Sequence, residues 1–225
     1  LRVGWVLEGS VRYDPAVGGP GRVRVSPRLI RVRDDTSVWS DRFDRSLVDI
    51  FEVQAEISAR VVEAVGLSLL PGEKSRLEAS PTTDLLAYGH YLEGLEHGRR
   101  SQERKDLLAA VASFEAAVAR DPEFVEAQAR LSRVLLFLRW MHYDDTAEIL
   151  EKARKAVAAV VRAGPETPEA QVSLGFLLYY AESDWEGARK HFEQALRVDP
   201  TNGSAIIGSA FVVRRLGRWA DSAAL

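Results

Sequence analysis

The chain carries four histidines, His90, His97, His142 and His191, and no cysteine. A zinc site built from them needs convergent ligands, and the sequence offers neither an H-E-x-x-H pair nor a thiolate. His90 and His97 stand seven residues apart and share a helical face. Two ligands do not make a site, so both read as structural or surface histidines. Gly18-Gly19-Pro20-Gly21 has the composition of a phosphate-binding loop, but no Lys-Ser/Thr pair follows and no helical pattern starts there, so it reads as a plain turn. Gly203-Ser204 and Gly208-Ser209 lack the G-x-S-x-G frame that exposes a nucleophilic serine. Acidic residues are plentiful, yet they lie among Lys and Arg on helical patterns, as on a solvated face. The residue types point to no catalytic, metal or cofactor chemistry.

Arginine is dense near the amino terminus, at Arg12, Arg22, Arg24, Arg28, Arg31, Arg33, Arg42 and Arg45, with Asp34, Asp35, Asp41 and Asp44 interleaved. This reads as a charged exterior that keeps edge strands from pairing. The alternative is an anion or nucleic-acid patch. A net charge of -3 supplies no global field for nucleic acid, and no nucleic-acid partner is expected. Hydrophobic residues make up 46% of the 225-residue chain and charged residues 28%, as in a folded protein. No apolar run approaches the roughly 18 residues that span a bilayer, so no membrane insertion is expected of this segment. The chain reads as a piece of a longer protein, opening on Leu1 and closing on Ala223, Ala224 and Leu225 within a helical pattern.

These residues must be held by two kinds of element. In the later part, Ala110, Phe114, Ala117 and Pro122 are spaced by 4, 3 and 5. Ala153, Val157, Val160 and Pro165 repeat that spacing, as do Ala188, Phe192, Ala195 and Pro200. A small residue lets a second helix lie close, a larger one fills the next turn, and proline stops the helix. The pattern resembles the second half of the tetratricopeptide repeat. Leu174-Gly175, Leu131-Ser132 and, more loosely, Leu92 and Gly94 fit its first half. The proline intervals are 43 and 35 residues, against about 34 for the family, and the excess is assigned to loops around Gly98 to Glu103 and Tyr143 to Thr146. Three full hairpins and a truncated fourth, with Trp219 opening its second helix, are expected over residues 84–225. The truncated end is expected to leave an apolar face around Val212, Val213 and Trp219 and to self-associate through it.

In the early part, Trp5, Leu7, Gly9, Val11 and Tyr13 alternate with Val6, Glu8, Ser10 and Arg12, the period of a half-buried strand. A second strand is expected over 22–33, its phase slipping after Pro27 so that Ile30 and Val32 carry the apolar face. Pro27 itself points to an edge or a bulge. A short third strand through Val38, Trp39 and Phe43 precedes a helix from about Leu47 to Leu69, capped by Ser46 with Asp49, with Leu47, Ile50, Val53, Ile57, Val61 and Val65 as its buried stripe. The segments Val6-Leu7-Glu8-Gly9-Ser10-Val11-Arg12, Arg22-Val23-Arg24-Val25, Leu29-Ile30, Trp39-Ser40-Asp41-Arg42-Phe43-Asp44 and Asp49-Ile50-Phe51-Glu52-Val53-Gln54 resemble the later half of a TolB-amino-terminal-like domain. The expected fold is therefore an α+β amino-terminal piece, a small sheet plus a long helix over 1–70, then a linker over 71–83 and an all-α tetratricopeptide solenoid.

In solenoids of that family the first helix of each hairpin lines a concave groove. The resemblance then assigns Arg133, Phe137, Phe176, Tyr179, Tyr180, Phe211, Arg214 and Arg215 to the groove, and aromatic and Arg residues are the usual interface anchors. The alternative is that the aromatics pack between hairpins as core. The function these features imply is non-catalytic binding of a protein or peptide partner with apolar and acidic side chains. The paired resemblances also imply an alternative: the regulatory region of a bacterial signalling enzyme, such as a serine/threonine kinase or adenylate cyclase, whose catalytic domain lies elsewhere.

Overall fold

A run of β-branched and charged residues makes Arg22–Arg31 the central strand, β2, of a four-stranded antiparallel sheet. The computed structural model describes residues 3–14, 21–67 and 80–217. The chain divides between Ser80 and Pro81 into two units. The turn at Gly18-Gly19-Pro20, the expected helical turns of Glu73 to Ala79, and Trp219 lie outside the described residues.

In the first unit, β1 (Trp5–Asp14) pairs with β2 along its whole length. On the other side of β2 lie β3 (Thr36–Ser40) and β4 (Phe43–Ser46). The expected third strand is thus two strands. Pro27 sits in the middle of a central strand, not at an edge. Its carbonyl accepts from the Asp41 N–H at 3.2 Å, so its missing donor falls on the side where β3 and β4 break, and no ladder bond to β1 is lost. The expected phase slip does not occur. Val23, Pro27 and Leu29 are buried on one face, Ile30 is half-buried and Val32 exposed. The irregularity lies opposite, in β3, where the register shifts between Leu29 and Ile30.

The helix that covers this face, α1 (Ile50–Val65), follows a single 3₁₀ turn over Leu47–Asp49. Ser46 and Asp49 make no side-chain cap, so the expected capping box is absent. The helix stops four residues earlier than expected because Gly66 adopts a left-handed φ of 77°. The Leu67 N–H then bonds the Val62 carbonyl and the Gly66 N–H the Glu63 carbonyl, a closure that a Cβ would disfavour. Of the expected stripe, Val53 is buried and the others half-buried.

The second unit is a stack of helical hairpins. Helix α2 (Leu85–Arg100) packs on α3 (Arg104–Arg120), α4 (Val125–Trp140) on α5 (Ala147–Ala163), and α6 (Pro168–Leu177) on α7 (Trp185–Val198). Helix α8 (Gly203–Arg215) then packs on α7. All nine residues of the three repeated Ala/Phe/Ala or Ala/Val/Val sets are buried. Between hairpins, Gln128 and Gln171 each donate to the carbonyl of the proline six residues before, Pro122 and Pro165, at 3.2 and 2.7 Å. Helix α2 runs through Gly98 to Arg100, so the surplus length expected there is helix, whereas residues 141–146 do form a loop. Val212 and Val213 are buried, so neither leaves the open apolar face expected of that end.

Asp84 fastens the first hairpin. Its carboxylate caps α2 by accepting from the Leu86 and Ala87 N–H groups at 2.9 Å, and it accepts from Arg120 of α3 at 2.8 Å. Arg120, with the cap N–H groups, holds that carboxyl at about 2, below its ordinary 3.8. A depressed carboxyl stabilises the fold above its unfolded value and ceases to do so as pH falls through its folded value. The unfolding temperature should therefore drop between pH 3.8 and about 2, followed by circular dichroism. Asp84→Asn keeps a cap acceptor but should flatten part of that slope; an identical slope in the variant would contradict the assignment.

Candidate functional site

Helices α4, α6 and α8 are the first members of their hairpins. α4 and α8 flank α6, and all three share a face with part of α2. Along α4, Glu126, Arg130, Arg133, Phe137 and Trp140 follow one another at 4-3-4-3 spacing, which keeps them on one stripe. Across from them, α6 presents Glu169 and Phe176, the turn that follows it presents Tyr180, and α8 presents Ser204, Ile207, Phe211, Arg214 and Arg215. The stripes line three depressions of about 500, 150 and 270 Å³.

The largest depression is an aromatic socket. Phe137, Trp140 and Tyr180 form a triangle with ring centroids 5.8, 5.5 and 6.0 Å apart. Phe211 and Tyr179 close one side, and the Arg215 guanidinium lies 5.9 Å over Trp140 while its Nε donates to the Tyr179 hydroxyl at 3.3 Å. A local irregularity sets this geometry. The end of α6 widens into a π turn over Leu178–Glu182, closed by Ser183 at φ 56°. The extra residue brings Tyr179 under Phe211 and leaves the next residue, Tyr180, facing α4. Single π turns of this kind recur at functional sites. Burial raises the Tyr180 phenol above its ordinary range, so it stays a neutral donor.

At the other end, Glu126 and Glu169 face the smallest depression. Burial, with the Glu169 charge added, raises the Glu126 carboxyl above its ordinary range. Between the acidic and aromatic ends stand Arg130 and Arg133. Arg133 donates to Ser204 Oγ of α8 at 2.6 Å, and its guanidinium lies 5.7 Å over the Phe176 ring. Among the described residues no carboxylate pairs with it. Burial and the neighbouring Arg130 hold its guanidinium at about 10, well below the ordinary 12.5. A half-buried cation with one neutral acceptor and a like charge beside it is held at a cost, and an added anion would relieve it.

All eight residues assigned to the groove from the sequence fall along these depressions. They are not equivalent. Phe176 and Tyr179 are buried and form the floor, as the core alternative has it, whereas Phe137, Tyr180 and Phe211 are half-buried and Arg214 and Arg215 exposed. Sequence reasoning missed Trp140, Arg130, Glu126, Glu169 and Ser204. The 4-3-4-3 stripe of α4, extended outward from Arg133 and Phe137, carries three of them. Elsewhere, His90, His142 and His191 bond Glu93, Asp145 and Gln171. Among the described residues no group of three or more His, Cys, Asp or Glu is placed to hold a metal, and no helix there is long and apolar enough to cross a membrane.

Residues 176–225 match a tetratricopeptide repeat family model. Together with the hairpin stack and its repeated small-large-small packing, this makes the carboxy-terminal unit a tetratricopeptide-type solenoid. Among curated proteins, the chain is 31% identical over 141 residues to "Putative adenylate cyclase 3" of Rhizobium meliloti (strain 1021). The match takes in 60% of this chain and 22% of that protein, so the chain spans about a fifth of that relative's length. Similar solved structures include PilW, a type IV pilus biogenesis factor, at 19% identity and a TM-score of 0.46, covering 63% of this chain and 59% of that one. MamA from Desulfovibrio magneticus RS-1 aligns at 20% identity and a TM-score of 0.42, covering 78% and 89%.

Proposed function

We propose that the groove of α4, α6 and α8 binds a peptide segment of a protein partner, without catalysis. The observation that carries this reading is Arg133, a half-buried guanidinium that no carboxylate among the described residues pairs, set between an acidic end and an aromatic socket. The order of groups specifies the ligand. An aromatic or large apolar side chain fills the socket at Trp140, a neighbouring Asp or Glu meets Arg133 and Arg130, and a basic residue beyond it meets Glu126 and Glu169. Solenoids of stacked hairpins expose such long concave surfaces, and buried aromatic and Arg anchors dominate binding energy at interfaces of this kind.

Panning a random displayed-peptide library on the purified chain tests the reading. Enriched peptides should carry an aromatic residue beside an acidic one and should lose binding to Trp140→Ala. Enrichment without that pairing, or binding indifferent to Trp140, would sink it.

A second reading rests on the likeness to the cyclase-named protein: this chain is the non-catalytic, regulatory part of a larger signalling enzyme, the first unit being the TolB-like portion. Here the groove's peptide is a segment of the enzyme or of its upstream partner. Formation of cyclic AMP from ATP by this chain alone would contradict both readings.

A further inference from the structure

The sheet of the first unit carries a second set of donors, independent of the groove. In the β1–β2 register Ser10 stands opposite Ser26 and Arg12 opposite Arg24. Residues two apart on a strand share a face, so all four side chains lie together. That face is opposite the one on which Val23, Pro27 and Leu29 are buried. Arg42, at the break between β3 and β4, joins them, and the five line an open depression of about 220 Å³.

The charge balance of this cup is uneven. Both oxygens of Asp44 are engaged, Oδ1 by Arg22 at 2.8 Å and Oδ2 by Arg24 at 2.7 Å. Glu8 is taken by Arg28, whose Nε lies 2.9 Å from Oε1. Among the described residues no carboxylate pairs with the side chain of Arg12 or of Arg42. Arg24, anchored by Asp44 from one side, presents its remaining edge beside them. Three guanidinium groups and two hydroxyls therefore line the cup, with the Asp44 carboxylate engaged by Arg22 and Arg24 and Asp14 acting on Arg24 from the end of β1.

We propose that Arg12, Arg24, Arg42, Ser10 and Ser26 form a site for a single phosphate group, as the free anion or as a phosphate monoester. A carboxylate is satisfied by one guanidinium fork, whereas a phosphate dianion uses several forks and hydroxyl donors at once. Glu8, Asp14 and Asp44 lie around the cup on the same face, so a continuous phosphate backbone, which must pass over them, meets more repulsion than an isolated phosphate held at the guanidinium groups.

The test is calorimetric titration of the full chain with inorganic phosphate and with O-phosphoserine, using acetate at matched ionic strength as the control. The site predicts saturable binding of at least one phosphate species and none of acetate. Arg12→Ala and Arg42→Ala should each weaken it by about tenfold or more, because each removes one charge-assisted fork. Arg12→Lys, which keeps the charge and loses the fork, should weaken it less than Arg12→Ala. Equal affinity for both ligands identifies the free anion as sufficient; preference for O-phosphoserine identifies an ester. Arg60→Ala, on α1 and away from the cup, removes the same charge and should leave binding unchanged. No saturable binding of either phosphate species, or a loss with Arg60→Ala equal to that with Arg12→Ala, overturns the proposal. Arg12 and Arg42 are exposed, and an unfolding temperature equal to the wild type's confirms that each variant is folded.

Discussion

Replacing Phe192 with alanine should destabilise the helical unit by about 3–5 kcal/mol, the range for emptying an aromatic core position. The ring is fully buried and clamped between two helices. A Cβ added at Gly175 of its own hairpin would come within 2.6 Å of the ring, and one at Gly208 of the next hairpin within 2.4 Å. The two glycines thus let α6 and α8 approach the ring from either side, and neither position has room for a methyl group. Gly208→Ala should accordingly cost about 1–3 kcal/mol by overpacking. In a Phe192→Ala background the same change should cost much less, because the methyl enters the space that the ring has left. Phe192 also meets Phe176 edge to face at 5.0 Å, so its loss should loosen the floor of the groove. Denaturant melts of the single and double variants check this. Additive costs, or a Phe192→Ala cost below about 1 kcal/mol, as for a surface change, would show that the ring is not the wedge between these hairpins.

Arg133→Gln should separate binding from stability. Truncating one partner of a desolvated charge pair costs about 2 kcal/mol or more, which weakens a peptide about 30-fold. The loss should appear only for peptides that carry the acidic residue. In the free chain the guanidinium has Ser204 and the face of Phe176 for company and Arg130 for a neighbour. Removing its charge should leave the unfolding temperature unchanged or raise it. A residue kept for packing alone would show the reverse, a lower unfolding temperature with peptide affinity intact. On the proposed reading, the free chain carries an electrostatic cost at Arg133 that a bound carboxylate would relieve, the trade between stability and function expected of a binding site.

The hairpin stack was legible because its signal is redundant. The same small-large-small spacing and proline stop occur three times, and tertiary packing uses each copy in the same way. The sheet was legible as strands but not in detail. Pro27 looked like an edge marker because a proline costs a ladder bond, and only the break between β3 and β4 shows where that bond is not needed. The apolar phase was misjudged because Ile30 and Val32 are as hydrophobic as Leu29; burial was decided by where α1 lies, which local alternation does not encode. Gly66 is a helix-stop signal, but the apolar pattern that runs on to Leu69 outweighs it in the sequence. In the groove, Phe137 and Tyr180 were reachable from the repeat pattern. Trp140 was not, since it lies beyond the repeat's signature positions, and the π turn that sets Tyr179 and Tyr180 in different roles has no mark in spacing alone. That Arg133 meets no carboxylate among the described residues is least visible in the sequence, because a cation's surroundings are a property of three helices together.

The most direct measurement of the central claim is a double-mutant cycle by titration calorimetry. One axis is Arg133→Gln in the chain, and the other is Glu→Gln, or Asp→Asn, in a peptide enriched by panning, with Trp140→Ala titrated alongside. The account predicts a coupling between Arg133 and the peptide carboxylate of about 1–3 kcal/mol, with the peptide losing most of its affinity for Trp140→Ala. A coupling of zero, with affinity for Trp140→Ala unchanged, would contradict it: the peptide would then sit elsewhere on the solenoid, and the groove would be no binding site for it.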